Sequence, residues 1–117
     1  FNNNLLEKTV LTKNKESIST KVEVIILEHL STGQVSEETI ANLLAVSVRT
    51  LRRQLSDEKT SFKFILNNLR ESSAKDYILS GKFSITEISF MLGYNEVSSF
   101  SRAFKRWTGT SPLKYAS

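Results

Sequence analysis

Ser84-Ile85-Thr86-Glu87-Ile88-Ser89-Phe90-Met91-Leu92-Gly93-Tyr94, followed by Val97-Ser98-Ser99-Phe100-Ser101-Arg102-Ala103-Phe104-Lys105-Arg106-Trp107-Thr108-Gly109, is the stretch from which the rest of the chain can be read. Ser84 and Glu87 have the spacing of a capping box, in which the serine oxygen accepts a first-turn N–H and the glutamate reaches back to the serine N–H. A short helix therefore opens here and ends at Gly93. A second helix is expected from about 97 to 107. It carries Phe100, Phe104 and Trp107 on an inward side and Ser98, Ser101, Arg102 and Lys105 on an outward side. At that spacing the aromatics are core residues, not a platform for stacking bases. Gly109 turns the chain, and Pro112, which lacks an N–H, suits the first position of a last short helix.

The same plan occurs earlier. Ile40-Ala41-Asn42-Leu43-Leu44-Ala45 resembles Ile88 to Gly93 at an offset of 48, and the Leu51 and Leu55 pair resembles Phe100 and Phe104 at an offset of 49. The second turn is thus one residue longer. Each copy is a short helix, a tight turn and a second helix, which is the helix-turn-helix plan. A small residue, Ala41 or Ser89, stands where the two helices must pack closely. In the first copy Ser36 caps the leading helix, with Glu37 and Glu38 in its first turn, and Ile40, Leu43 and Leu44 form its apolar face. Ser47 caps the second helix, which runs to about Asp57 with Val48, Leu51 and Leu55 toward the core.

Working outward, residues 61–79 form the longest helix, with Phe62, Ile65, Leu66, Leu69 and Ile78 along one side and Gly81 closing it. Residues 17–30 carry Ile18, Val22, Ile25, Ile26 and Leu30 at helical spacing, and Gly33 ends that helix. Residues 1–16 read as a linker or a loosely docked first turn. The first residue is Phe1 and not Met, so an excised piece of a longer protein is expected. With 39% apolar residues in 117, two small cores are expected sooner than one deep one.

Composition narrows the function. Residues 1–48 hold 4 Lys/Arg against 6 Asp/Glu, a balance of −2, and residues 49–117 hold 12 against 6, a balance of +6. The positive field belongs to the second part and suits a polyanion, with nucleic acid first. There is no cysteine, hence no disulfide and no thiolate metal site, which fits a cytoplasmic location. No apolar run approaches the roughly 20 residues needed to cross a bilayer. Catalysis needs convergent acid, base or ligand groups. The single histidine, His29, lies near a helix end, where such a residue is stabilised by the helix dipole. Neither an enzyme nor a bound cofactor is expected.

Arg49, Arg52 and Arg53 lie at i, i+3 and i+4 and so share one face of their helix. On an isolated helix they would read as a solvated basic face. After a capped partner helix and a turn, they occupy the part of a helix-turn-helix that enters the major groove. The guanidinium fork can donate two hydrogen bonds to guanine O6 and N7. In the second copy Arg102 is the best single base reader, Ser98 and Ser101 serve bases or phosphates equally well, and Lys105 lies nearer phosphate. A connecting helix of about 18 residues is roughly 27 Å long, against about 34 Å between successive groove entries. One monomer with some bending of the duplex would then read an asymmetric site.

The stretch from Ser84 to Tyr94, continued by Ser99-Phe100-Ser101-Arg102-Ala103-Phe104-Lys105-Arg106-Trp107-Thr108-Gly109-Thr110-Ser111-Pro112-Leu113-Lys114-Tyr115, resembles the C-terminal signature of AraC/XylS transcription regulators. Ser47-Val48-Arg49-Thr50-Leu51-Arg52-Arg53-Gln54-Leu55 resembles that family's first recognition helix, and Leu69-Arg70 with Ala74 resembles its linker helix. The resemblance covers about residues 20–116. It implies an all-α fold of seven helices, in two helix-turn-helix lobes joined by a long linker helix. The implied divisions are 17–58, 61–80 and 84–117, after a linker (1–16) from an N-terminal effector or dimerisation domain. By resemblance, base contacts fall on Arg49, Arg52, Arg53, Val97, Ser98, Ser101 and Arg102, and phosphate contacts on Thr50, Ser99 and Lys105. Val97 could touch only a thymine methyl. Arg70 matches an arginine that supports the lobe interface. Lys59 and Ala45 stand where glycines are usual, and Glu96 stands where a better cap is common, so that Asn95 is expected to cap instead.

The implied function is sequence-specific binding of double-stranded DNA beside a bacterial promoter, with RNA polymerase contacted, usually to activate. The isolated domain should be monomeric, and the full-length protein can be a dimer. Two rivals are a protein-interaction module, using an acidic first helix with Glu23 and Glu28, and an RNA binder, which should expose aromatics.

Overall fold

The computed structural model describes residues 17–33 and 35–116. The expected linker at 1–16 lies outside the described residues. Those described form seven α-helices, one 3-10 turn and no strand. The helices are α1 (Ile18–His29), extended by the 3-10 turn Leu30–Thr32, α2 (Glu37–Leu43), α3 (Val48–Asp57), α4 (Phe62–Ser80), α5 (Ile85–Met91), α6 (Val97–Thr108) and α7 (Pro112–Ala116).

Serine starts most of them. Ser17, Ser36, Ser47, Ser61 and Ser84 each sit in extended backbone and accept the N–H three residues on, at 3.0–3.2 Å. Ser111 does the same for Lys114 ahead of α7. The expected capping box is formed, with Glu87 accepting the Ser84 N–H at 2.8 Å. α6 differs from expectation. Glu96, not Asn95, is its cap residue, in extended backbone at φ −137°, and no side chain caps the helix. Asn95 lies one residue too early to reach the first-turn donors.

Three helices end alike. Ala45, Lys59 and Gly93 have positive φ, at 61°, 61° and 89°. In each case the N–H of the following residue reaches back to a carbonyl five positions earlier: Val46 to Ala41, Thr60 to Leu55, and Tyr94 to Ser89. This is the Schellman ending, which needs a left-handed residue and therefore favours glycine. Two of the three sites hold an alanine and a lysine, as the departures noted in the sequence imply.

α1, α2 and α3 form one lobe, and α5, α6 and α7 the other. α4 packs against α1 on one side and against α5 and α7 on the other. The core is one contiguous body, not the two small ones expected. Val22, Ile26, Ile40, Leu51 and Leu55 continue through Ile65, Ala74 and Ile78 of α4 into Ile88, Leu92, Phe100 and Phe104. The long helix thus shares its apolar side between both lobes. Phe104 packs edge-on against Trp107 and Tyr115 and fixes α6 to α7. One expected core residue lies outside: Leu43 is 54% exposed. At about 100° per residue, the inward arc of α2 runs through Ile40, Leu44 and Ala41, and Leu43 falls some 60° beyond its edge.

Candidate nucleic-acid interface

Each lobe presents the outer face of its second helix. On α3, Leu51 and Leu55 are buried and Val48 half-buried, which turns Arg49, Arg52 and Arg53 outward, all exposed. Thr50 is half-buried, and its hydroxyl belongs to the helix cap, where it accepts from the Ser47 hydroxyl at 3.0 Å. Its own proton stays available to an outside acceptor.

On α6, Phe100 and Phe104 are fully buried, which turns Ser98, Arg102 and Lys105 outward. Ser98 donates to the Glu96 carboxylate at 3.3 Å. Ser99 is half-buried. Val97 and Ser101 are also half-buried and line a shallow, mainly apolar groove of about 310 Å³ with Ile85, Thr86, Pro112 and Leu113. Eight of the ten expected contact residues therefore divide in three: Arg49, Arg52 and Arg53 on the face of α3, Ser98, Arg102 and Lys105 on the outer face of α6, and Val97 and Ser101 on its groove edge, while Thr50 and Ser99 are half-buried. Among the described residues, Arg49, Arg53, Arg102 and Lys105 have no ion-pair partner.

Arg52 is different. Its Nε donates to Glu37 Oε2 at 3.0 Å and its Nη2 to Glu37 Oε1 at 2.6 Å. The pair joins the first turn of α2 to the middle of α3. The hydrogen bond from Arg52 holds the Glu37 carboxyl below the usual carboxylate range, and the same bond raises the guanidinium further above neutrality. The sequence presents Glu37 only as a favourable charge at a helix start. Partners 15 residues apart on different helices have no local signature.

Glu58 was missed as well. Its two oxygens accept the N–H groups of Ile18 and Ser19, each at 3.0 Å, closing the start of α1 against the end of α3. Arg70, expected at the lobe interface, lies there. Its Nε donates to the Leu92 carbonyl at 3.0 Å, and its guanidinium stacks 4.5 Å from the centre of the Tyr94 ring. Burial pushes the Tyr94 hydroxyl up. α4 has 19 residues, about 28 Å of axial rise, between the two lobes.

A family model described as a helix-turn-helix domain matches residues 40–117. An uncharacterized HTH-type transcriptional regulator of Mycobacterium tuberculosis is 43% identical over 77 residues, which cover 66% of this chain and 22% of that protein. The HTH-type transcriptional activator CfaD of Escherichia coli is 32% identical over 114 residues, covering 97% of this chain and 43% of CfaD. This chain thus spans less than half the length of these curated relatives. The solved C-terminal domain of AraT, a response regulator from Geobacillus stearothermophilus, superposes with a TM-score of 0.78 at 33% identity, covering 85% of this chain and 83% of that one.

Proposed function

The chain belongs to the AraC-type helix-turn-helix family of DNA-binding transcription regulators, and from that premise we propose that it reads double-stranded DNA with α3 and α6 in successive major grooves. The observation that carries this reading is the repeated presentation of one helix face. In both lobes the second helix buries its apolar side in a shared core and turns cationic side chains outward.

In this reading Arg49, Arg52, Arg53, Ser98 and Arg102 meet base edges. Val97 and Ser101 meet bases along the apolar groove, where Val97 suits a thymine methyl. Thr50, Ser99 and Lys105 meet phosphates and set the register. The continuous core makes the spacing of the two helices a property of the fold, so the DNA must bend to meet it. Within a longer protein, an N-terminal effector or dimerisation domain precedes residues 17–117, and the whole acts in the cytoplasm beside a promoter, contacting RNA polymerase to activate. Among the described residues no helix is long and apolar enough to cross a membrane.

Selection of bound duplexes from a random pool, repeated across a salt series, tests the reading. The expected result is an asymmetric motif with two informative blocks about one helical turn apart. Arg53→Ala should weaken preference within one block and Arg102→Ala within the other. Binding to any duplex alike, fading only with salt, would leave a basic scaffold.

A further inference from the structure

We infer that Glu37 is a positioning residue for base reading: it clamps the Arg52 guanidinium side-on, so that the end-on fork faces the groove and selects guanine. The inference rests on the proposal that α3 enters a major groove. It goes beyond it by giving a role to an acidic residue that DNA binding alone would disfavour.

A guanidinium is planar, with five N–H donors around its rim. The Nε proton and one Nη2 proton lie along the lateral edge of the plane, and Glu37 takes both. The end edge, which points away from the side-chain stem and is made by one Nη1 proton and the second Nη2 proton, has no partner among the described residues. That edge has the spacing of guanine O6 and N7. The Arg52 side chain is 66% exposed and that of Glu37 26%, so the guanidinium is the more open partner of the pair. A long, mobile side chain that would otherwise reach phosphates is thereby held in one orientation before DNA arrives, which lowers the ordering cost of a bidentate contact. Meanwhile Glu37, one negative charge beside a polyanion, is neutralised by the residue it orients. Arg49 and Arg53, on the same face, have no such clamp and remain able to choose between bases and phosphate.

The test compares the 117-residue chain with Glu37→Gln, Arg52→Ala, Arg52→Lys and the double variant Glu37→Gln/Arg52→Ala, each against a pool of fully randomised duplexes and one fixed duplex of unrelated sequence. Arg52→Ala identifies the base position that Arg52 reads. Glu37→Gln is expected to weaken the guanine preference at that same position on the order of tenfold, and to leave the other positions unchanged. It should bind the unrelated duplex as tightly as the parent chain or more tightly, having lost a negative charge. Arg52→Lys keeps the ion pair and the fold but has no fork, and should lose the preference to the same degree. In the double variant the Glu37 change should have no further effect on preference. If Glu37→Gln weakens all sequences equally, or leaves the guanine preference intact while Arg52→Ala removes it, the positioning role is overturned and base reading by α3 stands. If Arg52→Ala alters no base preference, α3 does not read through Arg52 and the inference falls with that part of the reading. Should Glu37→Gln fail to fold, Arg52→Lys and the exchange rate of the Arg52 Nε proton in the parent chain decide it. A proton exchanging as fast as those of Arg49 and Arg53 would show that there is no clamp.

Discussion

The carbonyl oxygen of Leu30 lies 2.7 Å from the point where a β-carbon on Gly93 would stand. Leu30 follows α1 in the first lobe, and Gly93 closes α5 in the second. Arg70 of α4 lies 3.2 Å from the same point. The lobes therefore meet backbone to backbone, with no room for one more carbon. Gly93→Ala should cost about 2 kcal/mol or more: roughly 1–2 kcal/mol for the left-handed backbone, with the clash added. Gly81 has a similar φ of 70° with nothing within 4 Å, so Gly81→Ala should cost the backbone part alone. Urea midpoints of the two variants measure the difference, and equal losses would mean that the lobes yield at that contact.

Ala45 and Lys59 hold the left-handed position of their Schellman endings without being glycines. Glycine there relieves the backbone strain but adds freedom to the unfolded chain. The net gain expected for Ala45→Gly or Lys59→Gly is about 0.5–1 kcal/mol, seen as a rise in Tm of a few degrees. The sites are on different turns, and the double variant should add the two gains.

Glu58 makes the stability of the first lobe depend on pH. Burial would raise its carboxyl, but the N–H groups of Ser19 and Ile18 outweigh that and hold it below its ordinary value of 4.5. A depressed carboxyl stabilises the fold above about pH 4.5, and that stabilisation is lost as pH falls through the folded value. Because the group faces solvent, Glu58→Ala should cost no more than about 1 kcal/mol at pH 7. Thermal unfolding of both proteins from pH 7 to pH 3 should show their curves converging below pH 4.5. A constant gap would mean that the side chain acts by packing.

Two residues of α6 should fail differently on DNA. If Arg102 reads a base as proposed, Arg102→Ala should relax preference in one block, at roughly 1–3 kcal/mol for the preferred base. If Lys105 meets phosphate as proposed, Lys105→Ala should weaken all duplexes alike and lower the salt slope by about 1. Binding isotherms on the selected duplex and on a scrambled one, at several salt concentrations, separate the two. If Lys105→Ala changed base preference, the assignment along α6 would have to be reversed.

The outward faces of α3 and α6 were largely legible in the sequence. The outward turn of Arg49, Arg52, Arg53 and Arg102 follows from the buried leucines and phenylalanines opposite them, because helical spacing alone decides which side chains share a face. Leu43 escaped that logic, since α2 has only two turns and a stripe that short is narrower than its apolar residues suggest. Asn95 escaped it because the cap position falls one residue later, on Glu96, whose side chain makes no cap bond.

Local order is written in the residues themselves: serines three residues ahead of their bonded N–H groups, the capping box at Ser84, and the turns at Gly33, Gly81 and Gly109. These signals act over three or four residues, so a string of residues contains them whole. It took the packed fold to bring Glu37 onto Arg52, Glu58 to the start of α1 from 40 residues away, and Leu30 against Gly93. Those contacts exist because one core passes through α4 and fixes where the helices lie relative to one another. Two charges or two backbones can find each other across the chain only after that placement is made.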